Sequence, residues 1–213
     1  MNPDNIRDVL RFYFITDDAA GGMLPLAQAR VAIDAGATVI QYRHKSFCLD
    51  SYEEVAAIRR LCRQRRVPFL VNDNILLAKA VDADGVHVGQ DDAPPWQARQ
   101  IMGAEAIIGV SISTMSELEH TDLAACDYIG MGPVFSTDTK TDAKPVQGLT
   151  GLRDIVNLSP VPVVAIGGID SDNAADCIAH GAAGVAVISC ITRAADPVRA
   201  AQTLAAACGL GTR

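Results

Sequence analysis

The chain has 213 residues, 49% of them apolar, which is enough for one sizeable buried core. Its 18 Lys and Arg against 25 Asp and Glu leave a formal charge of −7, which argues against bulk nucleic-acid binding while allowing a local basic pocket. No run of about eighteen residues is free of charge, and "MNPDNIRDVLRF" has no apolar segment behind a basic start, so neither a membrane span nor a secretory signal is expected.

In chain order, "FYFIT" (12–16) is the first β-branched and aromatic run, and "TVIQY" (38–42) the second. The second runs out through Gln41-x-Arg43-x-Lys45, alternate positions that a strand turns to one side, with His44 turned away. Val55, Ile58, Leu61 and Cys62 form an apolar stripe at helical spacing. "PFLVN" (68–72) ends in Asn72-Asp73, and "GVHVG" (85–89) runs on through Gln90-Asp91-Asp92. Pro94 and Pro95 open a helix carrying Trp96 and Ile101, which Gly103 ends. "AIIGV" (106–110) leads to Ser111, and "DYIGM" (127–131) to Gly132-Pro133, "STDTK" (136–140) and a long loop over 132–148 of the kind that forms lids. "VPVVAI" (161–166) is followed by Gly167-Gly168, and then by a helix that Ser171 can cap, bearing Ala174, Cys177 and Ile178 and stopped at Gly181. "GVAVI" (184–188) ends at Ile188-Ser189, and "AAQTLAAACGLGTR" is a closing helix.

Eight strand-helix units of even spacing predict a closed (β/α)8 barrel, one domain over 1–213, with the mostly continuous apolar strands that parallel pairing requires. An open doubly wound sheet is the rival, but no G-x-G-x-x-G follows the first strand. Chemistry in such barrels sits at the C-terminal strand ends, where nearly every polar oddity of this chain falls. Arg43 and Lys45, expected in the barrel mouth, join Lys140 as three cations suited to a polyanion such as diphosphate. Asp73 and Asp92 leave neighbouring strands about 4.8 Å apart, so they can share one hard cation. Singly, they read as a helix cap and as loop surface. Gly167-Gly168 with Ile188-Ser189 occupies the phosphate position of these barrels, and its plainer reading is a tight turn. His87, flanked by valines, reads as a satisfied core histidine. The six cysteines lack Cys-x-x-Cys spacing and read as small apolar filler in a reducing cytosol, so a cytoplasmic location is expected.

"QYRHK", "VNDN", "ADGVHVGQDD", "GVSIST", "IGMGPVFSTDTK", "VQGL", "VVAIGGI" and "GVAVIS", in this order, resemble the thiamine-phosphate synthase family over almost the whole chain. The resemblance implies transfer of a hydroxymethylpyrimidine from its diphosphate to a thiazole phosphate, releasing diphosphate and using magnesium. It implies a pyrimidine-diphosphate site at Gln41, Tyr42, Arg43, His44 and Lys45 with Asn72, Ser111 and Lys140, and magnesium ligands at Asp73 and Asp92. It implies thiazole-phosphate contacts at Thr137, Asp138, Thr139, Gly168, Ile188 and Ser189, with Arg43, Lys45, Ser111 and Lys140 as the catalytic set. Many members carry His where this chain has Ser113, and a related thiazole tautomerase subgroup looks as though it uses that His as its acid/base. The implied partners are two small-molecule substrates, with neither nucleic acid nor membrane, and a homo-oligomer is left open. A tautomerase-like or phosphosugar isomerase barrel, and a non-catalytic ligand-binding barrel, are the alternatives. An isomerase would share the glycine phosphate site but would need an acid/base pair, not three cations facing two acids.

Overall fold

The computed structural model describes residues 3–18, 22–45, 47–139 and 144–211. Eight parallel strands close into a barrel in sequence order, with β1 (Phe12–Ile15) paired to both β2 (Val39–Tyr42) and β8 (Gly184–Val187). Between these lie β3 (Phe69–Asn72), β4 (Gly85–Val88), β5 (Ile107–Ile112), β6 (Tyr128–Met131) and β7 (Val163–Ile166). All eight lie within two residues of the runs read from the sequence. A helix α1 (Pro3–Val9) precedes the barrel, and α2 (Pro25–Asp34), α3 (Tyr52–Arg65), α4 (Ile75–Ala80) and α5 (Pro95–Met102) follow the first four strands. The outer layer continues through α6 (Met115–His120), α7 (Gly148–Leu158), α8 (Ala174–Ala179), the short α9 (Ser189–Thr192) and the closing α10 (Pro197–Ala207).

The alternation of side chains along each strand produces two cores. Phe12, Phe14, Ile40, Phe69, Val71, Val86, Ile108 and Val185 point outward and pack with the helices, where the α3 stripe of Val55, Ile58, Leu61 and Cys62 is buried against them. Tyr13, Val39, Leu70, Ile107, Tyr128, Val164 and Ala186 point inward and fill the barrel, with Ile6 and Leu10 from the N-terminal segment joining that cluster. A fully buried aliphatic or aromatic side chain stabilises by roughly 1.5–3 kcal/mol, so both layers contribute to stability. All six cysteines are free, and burial pushes the Cys62, Cys126, Cys177 and Cys190 thiols up to about 12, as suits apolar filler, whereas Cys48 is exposed and departs from that reading.

Local signals account for most helix ends. Pro95 sits in the first turn of α5 and Gly103 ends it at φ 100°, as the sequence predicts. The helix after β7 departs from expectation, because Asn173 and not Ser171 occupies the N-cap position of α8. The Asn173 side chain turns back instead, accepting from Asp170 N at 3.0 Å and donating to the Gly168 carbonyl at 3.0 Å. Gly181, at φ 97°, follows the end of α8 as expected. The lower face is held by two similar clamps. Asp84 accepts from Phe69 N and is held by Arg59, while Asp127 accepts from Ile108 N and is held by Arg99. These lie at the N-terminal strand ends, the stability face of such barrels.

Candidate active site

At the opposite end, the inward positions become polar. Gln41 is 2% exposed and donates through Nε2 to the Tyr13 hydroxyl at 2.8 Å. The Tyr13 and Tyr128 hydroxyls lie 2.7 Å apart, Tyr128 reaches His87 Nδ1 at 2.9 Å, and His87 Nε2 reaches Ser111 Oγ at 3.0 Å. His87 is therefore the satisfied interior histidine the sequence suggests, although its partners were not legible there. Burial pushes the hydroxyls of Tyr13 and Tyr128 well above the ordinary tyrosine range, so both stay neutral.

Arg43 continues the inward row two residues past Gln41 and is only 6% exposed, less wet than a position in an open mouth suggests. With Gln41, Asn72, His87 and Ser111 it lines a small recess of about 30 Å³ at the barrel axis. Among the described residues no carboxylate forms an ion pair with its guanidinium. Lys45 is exposed and lines neither this recess nor the larger cavity described next. Tyr42 and His44 alternate to the outer side, as the strand period requires. The Tyr42 hydroxyl donates to Glu54 at 3.2 Å, and His44 Nδ1 lies 3.3 Å from Asp18.

A larger cavity of about 210 Å³ lies beside the recess and shares Ser111 with it. Thr137, Thr139, Gly167, Gly168, Ile188 and Ser189 line it, so the expected thiazole-phosphate residues converge, except that Asp138 is exposed and absent from its wall. The Thr139 hydroxyl donates to Ser189 Oγ at 2.9 Å, tying the long β6–α7 loop to the end of β8. The stem of that loop pairs with the β7 end through Val134 N to Ile166 O and Phe135 N to Gly167 O. Gly168 has a φ of 64°, and a Cβ there would come 2.8 Å from Phe135 Cβ. The turn is thus both tight and closely approached, which only glycine tolerates. Ser113 also lines this cavity, as does Lys144, which pairs with Glu117. Lys144 was missed in the sequence because a lysine in a polar loop carries no distinguishing signal. Lys140 lies outside the described residues.

Asp73 and Asp92 are exposed at the ends of the neighbouring strands β3 and β4. Asp73 takes a φ of 61° and donates its N–H to the His87 carbonyl, while Asn74, not Asp73, caps α4 by accepting from Leu77 N at 2.9 Å. The helix-cap reading of Asp73 is therefore removed. Asp92 Oδ2 accepts from Gly89 N at 2.7 Å, which fixes its loop and leaves the other oxygen for a ligand. Among the described residues no group of three or more His, Cys, Asp or Glu could hold a metal by themselves. A pair of carboxylates fits a hard cation that draws its other oxygens from substrate and water.

A family model described as thiamine monophosphate synthase matches residues 12–191. The thiamine-phosphate synthase of Archaeoglobus fulgidus is 46% identical over 200 residues, covering 93% of this chain and 93% of that one. That of Bacillus velezensis is 42% identical over 202 residues, covering 92% and 90%. The solved thiamine phosphate pyrophosphorylase from Pyrococcus furiosus superposes with a TM-score of 0.86 at 38% identity, covering 96% of this chain and 98% of that one. A structure described as native KDPGal, at 17% identity and a TM-score of 0.69, shares the fold alone.

Proposed function

The chain belongs to the thiamine monophosphate synthase family and is a transferase of thiamine phosphate synthesis, and from that premise we propose how its residues divide the two substrates. The pyrimidine diphosphate takes the recess and its rim, at Gln41, Arg43, Asn72 and Ser111, with Lys45 reaching its outer phosphate. The thiazole phosphate takes the larger cavity, its phosphate held by the N–H groups of the Gly167-Gly168 turn and the hydroxyls of Thr137, Thr139 and Ser189. The single observation that carries this division is Arg43, a nearly buried cation with no carboxylate partner among the described residues. A charge held that way is costly unless an anion completes the site.

The chemistry follows from two anion sites that share Ser111. The C–O bond to the exocyclic carbon breaks, diphosphate leaves with the electron pair, and the aminopyrimidine ring carries the resulting cation. Arg43 and Lys45 stabilise the charge growing on the leaving group, and Ser111 donates to its departing oxygen. The thiazole nitrogen then forms the new C–N bond, held in place by its phosphate so that the encounter becomes effectively intramolecular. Asp73 and Asp92 would hold the magnesium, which when bound supplies further positive charge beside the diphosphate. The six free, dispersed cysteines support a cytoplasmic setting. A tautomerase-like reading is not favoured, since the similar proteins are thiamine-phosphate synthases and Ser113 lines the cavity where a histidine would be needed.

Incubation with both phosphorylated halves and magnesium, followed by mass detection, tests the reading. Thiamine phosphate and diphosphate should form in equal amounts. Isomerisation of the thiazole phosphate without coupling would overturn it.

A further inference from the structure

Five side chains from five strands form one hydrogen-bonded line across the barrel: Gln41, Tyr13, Tyr128, His87 and Ser111. Heavy-atom distances alone leave its direction open, and the Gln41 amide, placed with Nε2 towards Tyr13, sets it once hydrogens are counted. Gln41 Nε2 can only donate, so the Tyr13 oxygen accepts from it. Tyr13 has one hydrogen of its own, and its other hydroxyl partner is Tyr128, so that hydrogen goes to the Tyr128 oxygen. Tyr128 must then send its hydrogen to His87 Nδ1, which has to be the ring's lone-pair nitrogen. A neutral ring with Nδ1 bare carries its proton on Nε2, 3.0 Å from Ser111 Oγ, and donates it there. Ser111 Oγ, already accepting, keeps its own hydrogen for the cavities it lines.

We propose that Tyr13 and Tyr128 are positioning residues that hold His87 in its Nε2-protonated tautomer and so aim the Ser111 hydroxyl hydrogen at the bound substrate. This rests on the assignment of Ser111 to the diphosphate leaving group given above. The strands are cleared for the line. A Cβ at Gly109 would run into the Tyr128 ring, and one at Gly130 would come 3.1 Å from His87 Cε1. Both tyrosine hydroxyls are held neutral by burial, so neither becomes a pure acceptor that would release the polarity. Moving the ring proton from Nε2 to Nδ1 would turn both tyrosine hydrogens around and strand that of Tyr13.

The test reads the ring nitrogens of His87 by long-range proton–nitrogen correlation on protein labelled at histidine. The signals of His87 are picked out from those of the four histidines by their loss in His87→Gln. Wild type should show a protonated Nε2 and a bare, hydrogen-bonded Nδ1. Tyr128→Phe should move the ring towards the Nδ1-protonated form and lower kcat about tenfold, the scale of one aimed hydrogen bond, with each KM within about twofold. Tyr13→Phe leaves room at the lost hydroxyl for a water that can accept from Tyr128 in place of His87 Nδ1, and should give a smaller shift in the same direction. A wild-type ring protonated at Nδ1, or an unchanged tautomer in both variants, would overturn the proposal. Should Tyr128→Phe not fold, wild type and Tyr13→Phe decide it. The ring measurement needs no turnover, so its failure is distinguishable from failure to form thiamine phosphate.

Discussion

Arg43 joins the two demands of the site most closely, because a nearly buried guanidinium normally needs a carboxylate. Its long aliphatic stem is buried along with most of the residue, so charge and packing can be separated by substitution. Arg43→Met keeps much of the stem and removes the charge. It should weaken diphosphate binding about tenfold or more, a loss on the order of 1.5–3 kcal/mol for a charge-assisted hydrogen bond. The melting temperature should hold or rise, because an unpaired buried charge is gone. Titration calorimetry with diphosphate and a thermal melt check both arms. A much lower melting temperature with diphosphate affinity intact would make Arg43 a structural residue. The inward side of Gln41 and Arg43 was legible from the two-residue strand period, but Lys45 was not. The strand ends at Tyr42, and beyond that end the alternation no longer dictates where a side chain goes.

At the scale of elements, the turn between β7 and α8 shows which local signals can be read and which cannot. Gly167-Gly168 was legible as a special backbone, and φ values of 98° and 64° bear that out. The cap was misread because Ser171 and Asn173 carry equivalent capping chemistry, and only the folded turn reveals that Asn173 serves the Gly168 carbonyl instead. The eight strands were legible because each is a short apolar run followed by polar residues, whatever its partners. Gly168→Val should strain the left-handed position by about 1–2 kcal/mol and drive a side chain into Phe135. Thiazole-phosphate binding should fall at least about tenfold, which is about 1.4 kcal/mol, with pyrimidine-diphosphate binding unchanged. Separate calorimetric titrations of the two ligands measure this, and an equal loss of both would argue against two separate phosphate sites.

For the whole molecule, closure of the barrel creates what no local stretch contains. Tyr13 and Tyr128 meet at 2.7 Å across 115 residues of chain, a contact that exists only when β1 through β8 have joined into one ring. That is why the inward tyrosines went unread while the strands that carry them did not. The direct pairing of β3 with β4 sets Asp73 and Asp92 just beyond neighbouring strand ends, where the shared-cation reading and the loop-surface reading diverge. Asparagine is the discriminating substitution at both. It tolerates the φ of 61° that Asp73 adopts, and at Asp92 it can still accept from Gly89 N, so each variant changes charge with little change in backbone. If the two acids hold magnesium, either variant should raise the magnesium concentration for half-maximal rate about tenfold, equivalent to about 1.4 kcal/mol of binding. The double variant should fall short of the product of the two, because each single change already disrupts the shared site. Melting temperatures should move little, since both side chains are exposed. A magnesium titration of the initial rate for wild type, both single variants and the double variant is the measurement. Midpoints that stay at the wild-type value in both single variants would remove these carboxylates from the metal and return them to the surface.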